Sequence, residues 1–288
     1  MTSIAIAGTG RMGTAFARRL IETGNAVTAW NRTPNHTAGA AEAGARIVRD
    51  VASLAACDII LMSLTDAAAT TAVADELATA GISGKLLVDL STLLPDETRA
   101  LAEKISKAGA EFIDCPVGGT VGPALKGQLL GMAGGTDAAF ARAKPVLEQL
   151  CRRVEHLGPA GSGSHMKLAV NLPLAVYWKT LSEALAMLDG ADIPVETAIS
   201  LIADSSAGPT VLKNRAQVVI DTLNGQDQPG TFDIAGLAKD LGLALRQAEL
   251  AGVAMPLSRE SMKSYDEALS AGLGGFDGAS LTRHLASK

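Results

Sequence analysis

Residues 3–13 of the chain read Ser-Ile-Ala-Ile-Ala-Gly-Thr-Gly-Arg-Met-Gly. The apolar run Ser3–Ala7 predicts a strand, and apolar residues at helical spacing within Arg11–Glu22 predict the helix that follows. Between them lies the fingerprint Gly8-x-Gly10-x-x-Gly13, whose glycines permit a tight turn, a close approach to a pyrophosphate and the packing of helix on strand. The pattern predicts a dinucleotide site that includes Gly8, Thr9, Gly10, Arg11, Met12 and Gly13.

Strands and helices continue to alternate up to about residue 114. Apolar runs predict strands at Ala26–Trp30, Arg46–Val48, Ile59–Met62, Leu86–Leu90 and Phe112–Asp114. Helical spacing predicts helices at Asn35–Ala43, Ala67–Ala80 and Pro95–Lys107. An alternation of this kind is typical of a doubly wound, mostly parallel sheet of the Rossmann type.

After about Gly163 the pattern becomes helical throughout. Helices are predicted at Met166–Ala191, Val195–Ala203, Val211–Ile220, Ile234–Ala251 and Pro256–Ala271. We therefore expect an α/β fold, in which a Rossmann-type domain of residues 1–162 precedes an all-α domain of residues 163–288. The long first helix is apolar over much of its surface, which indicates that it packs against a second subunit in a homo-oligomer, a dimer or tetramer.

Composition excludes several classes of protein. The chain has 288 residues and a net charge of −5 without a basic stripe, which argues against nucleic acid as a partner. No apolar run approaches the roughly 20 residues that span a bilayer, and no secretory signal is recognisable. Three widely spaced cysteines, Cys57, Cys115 and Cys151, lack the spacing of metal ligands. We expect buried free thiols in a cytoplasmic protein.

The end of the second predicted strand indicates which dinucleotide is bound. Sites that prefer NAD place an Asp or Glu there to accept a hydrogen bond from the ribose 2′-hydroxyl. This chain has Asn31-Arg32-Thr33 instead. Arg32 is expected to pair with a 2′-phosphate through charge-assisted hydrogen bonds, helped by Asn31 and Thr33. The sequence therefore predicts NADP as the cofactor of residues 1–162.

Three further motifs carry residue types suited to chemistry on a small acid. Ser91-Thr92 follows a predicted strand at its carboxyl end, where ligands bind in open α/β sheets. Gly118-Gly119-Thr120 is a turn of small residues that can present backbone N–H groups to a carboxylate. Lys167 and Asn171 lie four residues apart on one face of a predicted helix. A lysine whose pKa is depressed by burial or by its neighbours serves as a general acid or base.

Taken together, these motifs make the chain resemble the β-hydroxyacid dehydrogenase family, which includes 3-hydroxyisobutyrate dehydrogenases, tartronate semialdehyde reductases and glyoxylate/succinic semialdehyde reductases. The likeness covers essentially the whole chain, and its helical part is similar to the C-terminal domain of 6-phosphogluconate dehydrogenase. The motifs that carry it are the glycine fingerprint, Asp89-Leu-Ser91-Thr92 with Pro95, Asp114-Cys-Pro116-Val-Gly118-Gly119, Gly161-x-Gly163-x-x-x-Lys167-x-x-x-Asn171 and Leu237-Ala-Lys239-Asp240-Leu241.

The resemblance implies roles for individual residues. Lys167 corresponds to the lysine that donates a proton to the carbonyl in reduction, and Asn171 to the residue that holds lysine and substrate. The turn Gly118-Gly119-Thr120 is implied to bind the substrate carboxylate, and Ser91 and Lys239 are expected to bind the substrate as well. Four residues are implied to lie along the nicotinamide half of the cofactor, namely Ser63, Leu64, Thr92 and Lys239. No metal is implied, because the lysine supplies the proton and the cofactor the hydride.

The chain departs from the family pattern where the substrate binds. Gly118-Gly119-Thr120 replaces the frequent Ser-Gly-Gly, Val170-Asn171 replaces Asn-Asn, and Ser63-Leu64 replaces Leu-Pro. These changes leave the reaction type intact and the substrate open.

Two other functions compete with the reduction of an oxo-acid. Imine reductases have a related architecture and reduce C=N bonds with NADPH. They usually carry Asp or Tyr at the position of Lys167, so this lysine favours an oxo-acid, whereas the altered turn keeps the imine alternative open. A non-catalytic NADP-binding protein is a third possibility, which predicts loss of the lysine and added interaction segments.

Asp240 is expected to pair with Lys239 or Arg246 at the surface.

Overall fold

The computed structural model of the chain, which describes residues 2–286 and the side chains of residues 2–283, begins with a buried strand and an amphipathic helix. The strand β1 (Ile4–Ala7) is buried along its whole length, and α1 (Arg11–Glu22) buries one face. The chain divides into two compact units, Met1–Lys167 and Leu168–Lys288.

The first unit is built on one sheet, which has nine strands within the described residues. They are β1, β2 (Val27–Trp30), β3 (Arg46–Ile47), β4 (Ile59–Met62), β5 (Leu86–Asp89), β6 (Glu111–Asp114), β7 (Val117–Gly118), β8 (Leu129–Gly135) and β9 (Cys151–His156). Their order is β3-β2-β1-β4-β5-β6-β8-β7, with β9 paired to β8. β1 to β6 run parallel, whereas β8 is antiparallel to β6 and to β7. The strand order reverses between β1 and β4, and the carboxyl ends of strands at such a point are where α/β sheets bind ligands.

Helices cover both faces of this sheet. They are α1, α2 (Ala38–Glu42), α3 (Ala67–Ala80), α4 (Pro95–Lys107), α5 (Val121–Leu125) and α6 (Asp137–Leu150). Alternate residues of β1 pack on opposite faces of the sheet, because successive side chains of a strand point to opposite sides. Ile4 and Ile6 pack in the cluster that contains α1 and α6, and Ala5 and Ala7 in the one that contains α3 and α4.

The second unit is helical. Its helices are α7 (Ser162–Ala186), which begins in the first unit, α8 (Val195–Asp204), α9 (Thr210–Leu223), α10 (Ile234–Leu250), α11 (Pro256–Ser270) and α12 (Leu281–Ala286). Trp178 of α7, Leu237 of α10 and Tyr265 of α11 share one buried cluster. The Tyr265 hydroxyl donates to the carbonyl of Ala175 at 2.8 Å. A side chain at Gly278 would place its Cβ 2.3 Å from Leu237 Cδ1, so any larger residue would displace the Leu237 side chain.

The structure confirms the fold class, a Rossmann-type sheet followed by a helical part. Four segments have the predicted bounds, namely α1, β4, α3 and α4. The helix predicted at Met166–Ala191 is wrong at both ends, because α7 begins at Ser162 and ends at Ala186. The helix predicted at Asn35–Ala43 is instead a 3₁₀ turn, Pro34–Thr37, followed by α2. The boundary at residues 162/163 stays a prediction.

The three cysteines are buried and not disulfide-bonded. Burial raises the pKa of Cys115, and it raises the pKa of Cys151 to about 12. Both groups are therefore thiols rather than reactive thiolates at neutral pH. In the part of the chain that the structure describes, no helix is both long and apolar enough to cross a membrane.

Candidate active site

The glycine fingerprint forms a loop between β1 and α1 that leaves room for a phosphate group. Gly8 has a positive φ of 96°, and a Cβ there would lie 2.3 Å from the Ser63 carbonyl oxygen. A Cβ at Gly13 would lie 1.8 Å from the Gly8 carbonyl oxygen, whereas a Cβ at Gly10 would meet no atom within 4 Å. Gly8 and Gly13 are thus required by the loop itself, and Gly10 leaves open space above it. The first turn of α1 contains no acidic residue, so its partial positive charge is available to an anion.

Asn31 joins this loop to the end of β2. Its Oδ1 accepts from the Thr9 amide at 3.0 Å, and its Nδ2 donates to the Thr33 carbonyl at 3.0 Å. Arg32, between these two bonded residues, is exposed. The sequence predicted Asn31 as a phosphate ligand; the structure adds that its side chain holds the backbone on both sides of Arg32.

The loops that follow β4 and β5 are tied together by Ser91. Its Oγ accepts from the Leu64 amide at 3.0 Å, and its own amide donates to Asp89 Oδ1 at 3.1 Å. Ser63 is held in turn by a bond from its amide to the Ala7 carbonyl at 2.9 Å. Ser63, Leu64 and Thr92 therefore lie at the carboxyl edge of the sheet, where the glycine loop also lies. Contact of Ser91 with a substrate stays a prediction.

Lys167 is brought to the small-residue turn. It is 8% exposed, and its Nζ donates to the Val117 carbonyl at 2.8 Å. Val117 directly precedes Gly118, Gly119 and Thr120; Gly119 has a positive φ of 118°, and a Cβ there would lie 2.7 Å from Leu129 Cδ2. The lysine and the turn, which are about 50 residues apart in sequence, thus form one polar site within the first unit.

In the second unit, Asn171 is paired with Asp240. Both are buried, and Asn171 Nδ2 donates to Asp240 Oδ2 at 2.6 Å. A carboxylate only accepts, so this contact fixes which atom of the amide faces Asp240 and places Oδ1 on the other side of the amide. The expectation that Asp240 lies at the surface is wrong, because it is 5% exposed. It does lie near Lys239, whose Nζ is 3.8 Å from Asp240 Oδ1 and which is itself exposed.

One groove in the first unit lies away from these residues. It has a volume of about 830 Å³ and is lined by Lys107, Phe112, Asp137 and His156, among others. Phe112 lies near the start of β6, so the groove opens at the amino edge of the parallel strands. Ligands of such sheets bind at the opposite, carboxyl edge, which is the edge where the glycine loop lies.

No group of three His, Cys, Asp or Glu side chains within the described residues is arranged to hold a metal ion. The polar groups that the structure gathers are instead an amine, a carboxamide, hydroxyls and backbone N–H groups. Such a set suits the binding of an oxyanion and the transfer of a proton.

Two family models match adjoining parts of the chain. Residues 3–158 match the NAD binding domain of 6-phosphogluconate dehydrogenase, and residues 161–285 match the model described as NAD-binding of NADP-dependent 3-hydroxyisobutyrate dehydrogenase. A mitochondrial 3-hydroxyisobutyrate dehydrogenase of Drosophila melanogaster is 32% identical over 96% of this chain and 86% of its own length. Glyoxylate/succinic semialdehyde reductase 1 of Arabidopsis thaliana is 28% identical over 95% of both proteins.

The chain is also similar to solved structures. The 3-hydroxyisobutyrate dehydrogenase of Mycobacterium tuberculosis with L-serine has a TM-score of 0.88 and 26% identity, and the match covers 99% of both chains. An imine reductase from Pseudomonas sp. has a TM-score of 0.66 and 20% identity over 99% of both chains. The second likeness is one of fold alone and is the more distant of the two.

Proposed function

The chain belongs to the β-hydroxyacid dehydrogenase family, and we propose that it transfers a hydride between NADP(H) and a small hydroxy- or oxo-acid of the semialdehyde or glyoxylate type. Its named relatives are dehydrogenases and reductases, and it is an oxidoreductase. The observation that carries the proposal is the buried Lys167, whose Nζ is held 2.8 Å from the Val117 carbonyl beside the turn Gly118-Gly119-Thr120.

The first unit fits a nicotinamide dinucleotide. Open space over Gly10 and the N-terminus of α1 suit the pyrophosphate, and the exposed Arg32 suits a 2′-phosphate. The side chain of Asn31 holds the backbone around Arg32 in place. This supports NADP as the cofactor, because it would position Arg32 for the 2′-phosphate. The loops with Ser63, Leu64 and Thr92 would border the nicotinamide, which supplies the hydride when bound.

Lys167 performs the proton transfer in this proposal. During reduction the carbonyl carbon accepts the hydride, and the electron pair of the C=O π bond takes a proton from Lys167 Nζ. During oxidation the neutral amine of Lys167 accepts the proton of the substrate hydroxyl. The bond to the Val117 carbonyl fixes one N–H and so orients the others, which lowers the entropy cost of the transfer.

The turn and its neighbours hold the substrate in this proposal. Backbone N–H groups of Gly118, Gly119 and Thr120 would bind the carboxylate. The Thr120 side chain makes no capping bond at the start of α5, and its hydroxyl would contact the substrate carboxylate in place of the serine that is frequent in the family at position 118. Asn171, oriented by Asp240, would accept from lysine or substrate through Oδ1. Ser91 and Lys239 complete the proposed substrate contacts.

We assign cofactor binding to residues 1–162, and substrate binding and dimerisation to residues 163–288. A homodimer or tetramer is supported by apolar residues on the surface of the single chain, among which Met187, Leu201 and Leu257 are 84%, 67% and 75% exposed. The three buried thiols support the cytoplasm as the compartment.

Reduction of imines is the second candidate, and one observation favours it. The turn carries Gly118 where many relatives have serine, so a hydroxyl that could contact a carboxylate is absent there. Lys167 favours the oxo-acid, since imine reductases usually carry Asp or Tyr at this position. A non-catalytic NADP-binding protein fits less well with a buried lysine held at the turn.

A screen of NADPH oxidation separates these candidates. The substrates are semialdehydes and 2-oxo acids of two to five carbons, and cyclic imines without a carboxylate. We expect oxidation of NADPH with at least one oxo-acid and a kcat/KM more than about a hundredfold below it for every imine. Turnover of imines alone would contradict the proposal, and turnover of none would favour the non-catalytic candidate.

A further inference from the structure

A buried carboxylate at the end of β6 is used by neither the cofactor site nor the proton transfer described above. Asp114 is 1% exposed. Its Oδ1 accepts from the Gly161 amide at 2.8 Å, and its Oδ2 accepts from the Ser164 amide at 2.9 Å and from the Ser164 hydroxyl at 3.3 Å. These donors lie 47 and 50 positions further along the chain, at the beginning of α7.

The three bonds place a negative charge against the N-terminus of α7. The first N–H groups of a helix have no partner within it and carry a partial positive charge, which a carboxylate offsets. The first turn of α7 contains no acidic residue of its own. Asp114 therefore acts as its cap from a distant strand.

Two glycines allow this contact. A Cβ at Gly163 would lie 2.8 Å from Asp114 Oδ2 and 2.1 Å from the Met132 carbonyl oxygen. A Cβ at Gly134 would lie 2.6 Å from Asp114 Oδ1. Any other residue at either position would push the first turn of α7 away from the sheet. The close packing at Gly163 thus accounts for the second glycine of the Gly161-x-Gly163 motif.

The same segment that holds the start of α7 also holds its lysine. Asp114 contacts Ser164, and Val117, three residues after Asp114, accepts from Lys167, three residues after Ser164. The segment of residues 114–117 and the first two turns of α7 are therefore joined at two points. A shift of the first turn would move the backbone of Lys167 relative to the turn Gly118–Thr120.

We propose that Asp114 is a positioning residue for the reaction, which anchors the first turn of α7 and thereby sets the position of the Lys167 ammonium. This inference rests on the function proposed above. Burial raises the pKa of Asp114, and the bonds from Gly161 and Ser164 act in the opposite direction. Burial is the larger of the two effects, so the hydrogen bonds to α7 offset only part of the desolvation cost of this carboxyl group.

The variant Asp114→Asn tests the inference. It keeps the shape of the side chain, but its NH₂ group meets one of the backbone donors of α7 and the negative charge is lost. We expect kcat to fall by roughly tenfold to thirtyfold, as for a small displacement of a catalytic group, while KM and the Kd for NADPH stay within about twofold. Activity is measured per NADPH-binding site, so that misfolded protein is not counted.

Asp58→Asn is a control for the loss of a carboxylate that accepts from a serine. Asp58 Oδ2 accepts from the amide and the hydroxyl of Ser3 at 3.0 and 2.9 Å, just as Asp114 Oδ2 accepts from the amide and the hydroxyl of Ser164. Asp58 directly precedes β4, and its side chain is about half exposed. We expect this variant to keep the kcat of the unaltered protein. An equal loss of kcat in both variants, or a parallel rise of KM and Kd in Asp114→Asn, would mean that Asp114 only stabilises the fold.

Amide hydrogen exchange tests the anchor without any turnover, and it does so even where the variant fails to fold. In the unaltered protein, the amides of Gly161 and Ser164 are expected to exchange as slowly as those of β6. Fast exchange at both amides would overturn the inference. Absence of any NADPH-dependent reduction by the unaltered protein would instead refute the proposed function. An unchanged kcat in Asp114→Asn, with Lys167→Ala inactive, would refute the inference alone.

Discussion

Replacement of Lys167 by alanine is expected to lower kcat for the reduction of an oxo-acid by about a thousandfold, within the range that a positioned general acid contributes. The side chain is buried and its Nζ is bonded to the Val117 carbonyl, so the variant removes the amine that the structure holds at the turn. Because the glycine loop is unaltered, the Kd for NADPH should stay within about twofold. Steady-state kinetics and a fluorescence titration with NADPH measure the two quantities.

Lys144→Ala is the control for this loss. Lys144 is half-exposed on α6 and pairs with Glu148 at 3.2 Å. Its removal deletes a lysine of the same unit without altering the site, and kcat should not change. Retention of most of the activity in Lys167→Ala would show that another group delivers the proton.

Replacement of Arg32 by alanine is expected to change the choice of cofactor. The guanidinium is exposed after β2 and would bind the 2′-phosphate through charge-assisted hydrogen bonds, each worth about 1.5–3 kcal/mol. Since about 1.4 kcal/mol is a factor of ten, the Kd for NADPH should rise by roughly tenfold to a hundredfold. The Kd for NADH, which lacks that phosphate, should stay within about twofold. Titrations of both cofactors against the variant provide the comparison.

Arg152→Ala serves as the control, because Arg152 is exposed on β9 and lies outside the proposed cofactor site. Its affinities for both cofactors should match those of the unaltered protein. A similar weakening of NADPH and NADH by Arg32→Ala would contradict the assignment of the 2′-phosphate to this residue.

The sequence predicted those helices and strands that neighbouring residues mark, through apolar spacing or a residue typical of a helix end. The helix Pro95–Lys107 begins with a proline, which suits the first turn of a helix, and the bounds of α4 are as predicted. The segment β8, α6 and β9 was not predicted at all. β8 is buried on both faces and ends in two glycines, so it shows no alternation, and β9 carries exposed charges along an edge of the sheet.

Residues of the candidate site that lie in short motifs were predicted, whereas contacts between distant parts of the chain were not. Gly8, Gly13 and Lys167 belong to motifs with a recognisable order, and the sequence analysis named them. It missed the burial of Asp240, because its partner Asn171 is 69 positions away. It quoted Asp114 as part of a motif but gave it no role, because Gly161 and Ser164 come close to it only in the folded chain. Contacts of this length depend on how helices pack, which no local pattern records.

Transfer of deuterium from NADPH to the product is the most direct test of the central claim. The unaltered protein is given an oxo-acid and NADPH labelled with deuterium at C4 on one face or the other of the nicotinamide, and the product is analysed by mass spectrometry. We expect a hydroxy acid with one deuterium on the former carbonyl carbon from one labelled form and none from the other, because a site of fixed geometry presents one face. Oxidation of NADPH without a labelled hydroxy acid from either form would contradict the account.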